Sequence, residues 1–192
     1  FAYSVGACPE TRYYRPPVSD SQLIPNRAQV FPMCLVIFAH QTHPKYPLVV
    51  AANRDEFYAR PTQPAAFWPE HPAVLAGKDL DMGGTWMGIT KTGRFAAITN
   101  YRDPQNTAPA PRSRGELPLD FLCGNQTPQR YLHSISAHGS DYAGFNLLLG
   151  HEGQMWYFTN DRSESAQQPR RLDPGIYGLS NARLDTPWPK VS

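Results

Sequence analysis

Apolar residues in this chain arrive in short runs, each closed soon after by Gly, Pro, Asn or a charged pair. That pattern favours strands joined by turns over long helices. "CLVIFAH" (34–40) reads as a buried strand, "QTHPKYP" as a turn, and "LVVAANRDE" (48–56) as a second apolar strand ending in charge. The pair predicts a hairpin with Asn53, Arg54, Asp55 and Glu56 at the end of its second strand. "TWMGIT", "KTG" and "RFAAITN" predict another hairpin over 85–102, and "AGFNLLLGHEGQMWYFTN" (143–160) a third. "GIYGLSNAR" (175–183) is a short strand running into a polar turn.

Helical signals fall between these hairpins. "SRGELPLDFLCG" offers Ser113 with Glu116 three residues on, a capping-box spacing, and Gly124 as a stop. "PQRYLHSISAHG" (128–139) predicts a second short helix ended by Gly139. Residues 57–86 read as irregular and 103–113 as a Pro-rich loop. Helices grouped between antiparallel hairpins give an α+β class rather than alternating βαβ units.

Residues 1–32 differ in texture, with prolines at 9, 16, 17, 25 and 32 interrupting every element. They read as a disordered or extraneous extension, and 33–192 as one domain. The ending "DTPWPKVS" invites a helix after Pro187 or Pro189, so a further C-terminal segment is expected. With 41% hydrophobic residues the domain has material for a packed core, and a net charge of +2 gives no basic face for nucleic acid. No run approaches the ~18 apolar residues of a membrane helix, so no stable membrane insertion is expected.

The three cysteines, Cys8, Cys34 and Cys123, contain no CxxC pair. That argues against a disulfide framework or zinc site and for a reducing, cytoplasmic setting. No metal and no cofactor are expected. Cys34 itself has two readings. A free thiol in an apolar strand is commonly a small core hydrophobe. Met33 directly before it, however, is a candidate initiator, and its removal would leave Cys34 with a free α-amino group of pKa about 7.7–8. One residue would then hold both nucleophile and general base.

"MCLVIFAHQTHPKYPLVVAANRDEFYARPT", "GGTWMGITKTGRFAAITNYR", "SRGELPLDFL" and "YGLSNARLDTPWPKV" together resemble the NRDE family, also called the Transport and Golgi organization 2-like family. The resemblance covers residues 33–191 and implies a longer protein. It also implies the layout of N-terminal-nucleophile hydrolases, an αββα sandwich of two stacked antiparallel sheets between helical layers. More loosely, the chain is similar to the choloylglycine and penicillin V acylases. By that similarity Cys34 is the nucleophile, Arg54 and Asp55 position its thiolate and amine, and Asn100 and Asn181 are the oxyanion-stabilising amides. Those acylases space Arg and Asp three apart, whereas here they are adjacent. Adjacent residues on a strand face opposite ways, so both reach Cys34 only where the strand has ended or bulged.

Asn53, Glu56, Trp86 and Arg102 complete the candidate set as substrate-binding residues, with Arg60 and Arg114 as further loop arginines at the site's mouth. Each has a structural alternative: strand-end asparagines form turns, and the Asn-Arg-Asp-Glu cluster can be an ion-pair network closing a strand. Two functions follow. The first is an amide or thioester hydrolase, or acyltransferase, acting on a small acylated substrate. The second is a non-catalytic carrier of haem or of a lipid or acyl-CoA-like ligand, which the resemblance also implies, with axial ligands from His40, His43 or Cys34. An interaction module ranks third. The oligomeric state is not encoded in any motif.

Overall fold

The computed structural model describes residues 34–101, 110–161 and 168–187. The readings made for residues 1–33, for most of the Pro-rich loop and for the chain's last residues lie outside that set. In chain order the strands are β1 (Leu35–His40), β2 (Leu48–Asn53), β3 (Thr62–Trp68), β4 (His71–Asp79), β5 (Met87–Thr90), β6 (Phe95–Asn100), β7 (Phe145–His151), β8 (Gln154–Thr159), β9 (Arg170–Leu172) and β10 (Gly175–Leu179). Helices α1 (Glu116–Cys123) and α2 (Pro128–Ser136) lie between β6 and β7. All of these fall within the unit Pro32–Ser192.

Two antiparallel sheets result, which makes the protein α+β. One has three strands in the order β10-β1-β2, and the other is a seven-stranded meander from β3 to β9. The chain leaves the small sheet after β2, runs through the large one, and returns as β10 to pair with β1.

Period-two patterning decides the packing. Val36, Phe38 and Leu179 of the small sheet bury against Phe95, Ala97, Leu148, Met155 and Tyr157 of the large one. The opposite face of the large sheet, carrying Ala96, Leu147, Leu149 and Phe158, packs under Leu117, Phe121 and Leu122 of α1 and Leu132 of α2. Each such side chain contributes about 1.5–3 kcal/mol when fully buried. Helices, large sheet and small sheet are therefore stacked in that order.

Several expectations need correction. Residues 62–79, read as irregular, form the β3–β4 hairpin. Pro64 misled the reading: it sits in an edge strand, where the pairing shifts register between Gln63 and Ala66. β9 is too short to announce itself in sequence. β1 is buried on one face only, since Ile37 on its other side is 42% exposed. The capping box at Ser113 does not form: Gly115 occupies the N-cap without a side-chain bond, and Glu116 instead accepts from the Tyr142 hydroxyl at 2.6 Å while pairing with Arg112. α2 stops at Ser136, and Gly139 opens a separate 3-10 turn.

Candidate functional site

The ends of three strands meet at Cys34. Leu35 pairs with Asn53 of β2 and Val36 with Leu179 of β10. Continuing both registers toward the start of β1 sets Cys34 opposite Arg54 on one side and Asn181 on the other. Cys34 shares the parity of Val36 and Phe38, so the row belongs to the face turned toward the large sheet. The Ser180 hydroxyl donates to the Cys34 carbonyl at 2.8 Å and fixes this corner.

β2 ends at Asn53, so Arg54 and Asp55 lie beyond the strand and its alternation does not bind them. Beyond the strand the backbone leaves the sheet ladder, and the Asp55 backbone N–H favours the Cys34 thiolate. Asn53 Nδ2 donates to Asp55 Oδ1 at 2.8 Å, and Arg54 Nη2 donates to Glu56 Oε2 at 3.0 Å. The thiol thus lies beside a guanidinium, two carboxylates and a backbone donor. Burial dominates and raises its pKa. The Asp55 N–H and the Arg54 charge oppose that rise, whereas the Asp55 and Glu56 carboxylates add to it. With its amine in a peptide bond, Cys34 is accordingly a neutral thiol near pH 7.

A buried polar network holds the other side of the row. Thr99 Oγ1 donates to the Ser180 carbonyl at 2.7 Å, and Asn146 Nδ2 donates to Thr99 Oγ1 at 3.1 Å and to the Ala182 carbonyl at 2.9 Å. The Tyr157 hydroxyl, its pKa pushed up by burial to about 12, donates to Asn146 Oδ1 at 2.8 Å. These bonds clamp the turn after β10 onto β6, β7 and β8. Within it, Asn181 is 3% exposed and donates from Nδ2 to the Asn100 carbonyl at 2.8 Å. Its Oδ1 is buried and accepts no hydrogen bond among the described residues.

More charges gather at the same end of the sandwich. Arg60 donates from Nε and Nη2 to Asp79 Oδ2 at 3.0 and 2.6 Å and lies 4.0 Å from Glu56 Oε2. Those bonds hold the Asp79 carboxyl below its usual pKa against the opposing effect of burial. Arg114 donates from Nη1 to the Gly144 carbonyl at 2.9 Å. The same carbonyl accepts the Tyr101 N–H at 2.9 Å, one residue beyond Asn100. Burial and the nearby Arg60 charge lower the Arg114 pKa, while Cys34 and Glu56 act on it in the opposite direction.

The structure therefore brings Cys34, Arg54, Asp55, Glu56 and Asn181 together, with Asn53 bonded to Asp55. Asn100 joins through its backbone carbonyl, its side chain being exposed. Trp86 is half-buried at the head of β5, its indole Nε1 3.7 Å from where a Cβ on Gly77 would sit, and lies outside the row. Arg102 lies outside the described residues. His40 is buried at the far end of β1, roughly 20 Å from Cys34 at about 3.3 Å per residue. His43 is exposed and accepts the Lys45 N–H on Nδ1 at 3.2 Å. Among the described residues no group of His, Cys, Asp and Glu is arranged to hold a metal ion, and no helix is long and apolar enough to cross a membrane. Sequence reasoning missed Ser180, Thr99, Asn146 and Tyr157. The available signal was a polar residue at an inward position of an otherwise apolar strand.

Comparison with known proteins shows the family of the chain. The sequence profile of the family described as Transport and Golgi organisation 2 matches residues 33–192. The chain is 43% identical over 170 residues to the Transport and Golgi organization protein 2 homolog of Bos taurus, covering 83% of this chain and 60% of that protein. The Homo sapiens homolog is 42% identical over 170 residues with the same coverage. The Drosophila melanogaster Transport and Golgi organization protein 2 is 27% identical over 188 residues, covering 83% of this chain and 61% of that one. The chain thus spans about 60% of the length of these curated relatives. Its matched region holds the Asn53–Glu56 cluster, the Cys34 row and the "GLSNAR" turn, and the chain belongs to the Transport and Golgi organisation 2 family.

Proposed function

We propose that the domain is a cysteine N-terminal-nucleophile hydrolase or acyltransferase acting on the amide or thioester bond of a small acylated substrate. The observation that carries this reading is the gathering of Arg54, Asp55 and Glu56 about the Cys34 thiol, with the turn that holds Asn181 bonded to the Cys34 carbonyl through Ser180. Two stacked antiparallel sheets with helices on the large sheet's outer face fit the N-terminal-nucleophile layout. A second helical layer would lie on the small sheet's outer face, where Ile37, Val49 and Ile176 are exposed among the described residues.

The chemistry requires cleavage of the Met33–Cys34 peptide bond. The freed α-amine takes the thiol proton as sulfur attacks the substrate carbonyl, which removes the obstacle of a raised thiol pKa. A tetrahedral oxyanion forms. Asn181 Nδ2 spends one N–H on the Asn100 carbonyl and has a second for that oxyanion. The Asn100 side chain has the parity of Ala96 and Ile98, on the helix side of the large sheet, so Asn100 contributes through its carbonyl. The α-ammonium then protonates the leaving nitrogen or sulfur as its bond to carbon breaks. Water hydrolyses the resulting acyl-Cys34 thioester to a carboxylic acid, and a second acceptor in place of water gives transfer. The unmet acceptor Asn181 Oδ1 suits a donor brought by the α-amine or the substrate. Phe57 and Tyr58, 71% and 105% exposed just beyond Glu56, provide an aromatic lip for an acyl chain.

The test is the intact mass and N-terminal sequence of protein isolated from its native host, followed by acyl-enzyme trapping with an acyl-thioester. The expected result is a chain starting at Cys34 that gains the acyl mass, and a Cys34→Ala variant that folds but gains none. A chain in which residue 33 remains attached, with turnover unchanged in Cys34→Ala, would falsify the reading.

The carrier reading keeps one specific support: Asn181 and Asn100 are joined to each other and the thiol is held neutral, as in a passive pocket. Its ligand would be an amphipathic molecule bound at the same lip. Cys34 and His40 sit at opposite ends of β1 and cannot ligate one iron together in this fold.

A further inference from the structure

Arg54 and Arg114 both act on the Cys34 thiol, Arg60 lies beside Arg114 and Glu56, and the partners of the three differ. Arg54 is paired with Glu56, and Arg60 with Asp79 and Glu56. Arg114 has neither kind of carboxylate pairing: its guanidinium makes one hydrogen bond, to the Gly144 carbonyl, and no carboxylate lies within ion-pair distance of it among the described residues. Its surroundings are desolvated and like charge on Arg60 opposes it, while the Cys34 site and the Glu56 carboxylate, the latter beyond ion-pair distance, act the other way. A partly desolvated guanidinium with no counter-ion in direct contact is costly unless something supplies the negative charge.

Its position relates it to the turn that holds the Cys34 carbonyl through a series of hydrogen bonds and adjoining residues. Arg114 is anchored on the Gly144 carbonyl, which also accepts Tyr101 N–H. The preceding Asn100 carbonyl accepts from Asn181, which stands opposite Cys34 in the row. The loop before α1 is held there by backbone contact, with the Thr85 N–H donating to the Gly115 carbonyl at 3.0 Å. Arg114 is thus fixed by the scaffold with donors on its guanidinium left over.

We propose that Arg114 is the anion-recognition residue of this site, binding a carboxylate or phosphate group on a ligand whose acyl carbon approaches Cys34. An arginine fork matches both oxyanions in a bidentate manner. The proposal deepens the hydrolase reading by naming the substrate class: an acyl compound with an oxyanion near its scissile bond and an apolar chain for the Phe57–Tyr58 lip. It also holds for a carrier, because it concerns binding at the thiol and not turnover.

The test uses the full chain and the reactivity of Cys34, read by mass spectrometry of the peptide containing it so that Cys8 and Cys123 do not interfere. Alkylation by anionic iodoacetate is compared with alkylation by neutral iodoacetamide. The ratio of the two rates cancels changes in thiol pKa and reports attraction of the anion. Arg114→Gln is expected to lower that ratio on the order of tenfold relative to wild type. A ratio that does not change in a variant whose iodoacetamide rate shows an intact thiol site overturns the proposal.

A measurement without substitution covers the case of a variant that fails to fold. N-octanoylglycine, octyl phosphate and neutral N-octanoylglycinamide are compared as protectants of Cys34 against iodoacetamide. Protection by either anion at a concentration at least about tenfold below that needed for the neutral compound supports the assignment, and the better anion identifies carboxylate or phosphate. Equal protection by all three, or none by any, overturns it. Anion selectivity without acyl-enzyme formation would leave the anion site standing and remove the hydrolase reading, so the two fail separately.

Discussion

At the scale of single residues, the decisive balance is at Cys34. Its thiol is pushed up by burial and by two carboxylates, and held down by one guanidinium and one backbone N–H. The rate of its alkylation by iodoacetamide, measured against pH in the chain with residue 33 attached, is expected to have a midpoint above that of an unperturbed thiol, about 8.5. Arg54→Gln removes the attraction for the thiolate and releases Glu56, so the midpoint moves further up. Glu56→Gln moves it down. A wild-type midpoint at or below that of a small-molecule thiol would show that the charges outweigh burial. Sequence alone placed these residues near one another but could not rank the opposing effects. The ranking depends on how far water is excluded, and that is a property of the folded corner.

At the scale of elements, the site depends on how closely α1 docks against the large sheet. Gly84 precedes β5 and lies so near the start of α1 that a Cβ there would sit 2.4 Å from the Gly115 carbonyl carbon and 2.5 Å from its oxygen. Both atoms are backbone and cannot rotate away. Gly84→Ala is expected to destabilise the fold by about 1–3 kcal/mol, the usual cost of overpacking, read as a lower urea midpoint with an unchanged slope. No change in midpoint would mean that the α1 start yields freely. The hairpins β1–β2, β5–β6 and β7–β8 were legible because alternating apolar runs flank recognisable turns. The β3–β4 hairpin was not, because proline in a strand is tolerated only at an edge, and edge position is decided by pairing.

At the scale of the whole molecule, His40 reports on the contact between sheets. It ends β1 in the small sheet, is 4% exposed, and feels the charge of Arg171 from β9 in the large one. Burial first, and then Arg171, lower its pKa below the ordinary value. The unfolded chain takes a proton near pH 6.5, whereas the folded chain resists until lower pH. The contribution of neutral His40 is therefore complete above about pH 6.5 and is lost as pH falls from there toward the folded pKa. Wild-type stability is expected to drop between pH 7.5 and 5.5 by more than that of a His40→Gln variant, in urea unfolding at each pH. Parallel losses would place the acid sensitivity elsewhere. Phe38, stacked on Tyr177 with ring centroids 5.1 Å apart, anchors the same layer. Phe38→Ala is expected to lose about 3–5 kcal/mol by calorimetric or urea unfolding.

The sequence by itself determined the α+β class, most hairpins, both helices and the gathering of Arg54, Asp55 and Glu56 at a strand end. Those features follow from local periodicity and turn chemistry, which act over a few residues. Only the tertiary structure decided that β10 returns to the far side of β1 and sets Asn181 opposite Cys34. It also brought Thr99, Asn146 and Tyr157 together to hold that turn, and left Arg114 near the thiol with no carboxylate in ion-pair contact among the described residues. Such relations join residues far apart in the chain, and no local pattern encodes them; they exist once two sheets have closed over a common core.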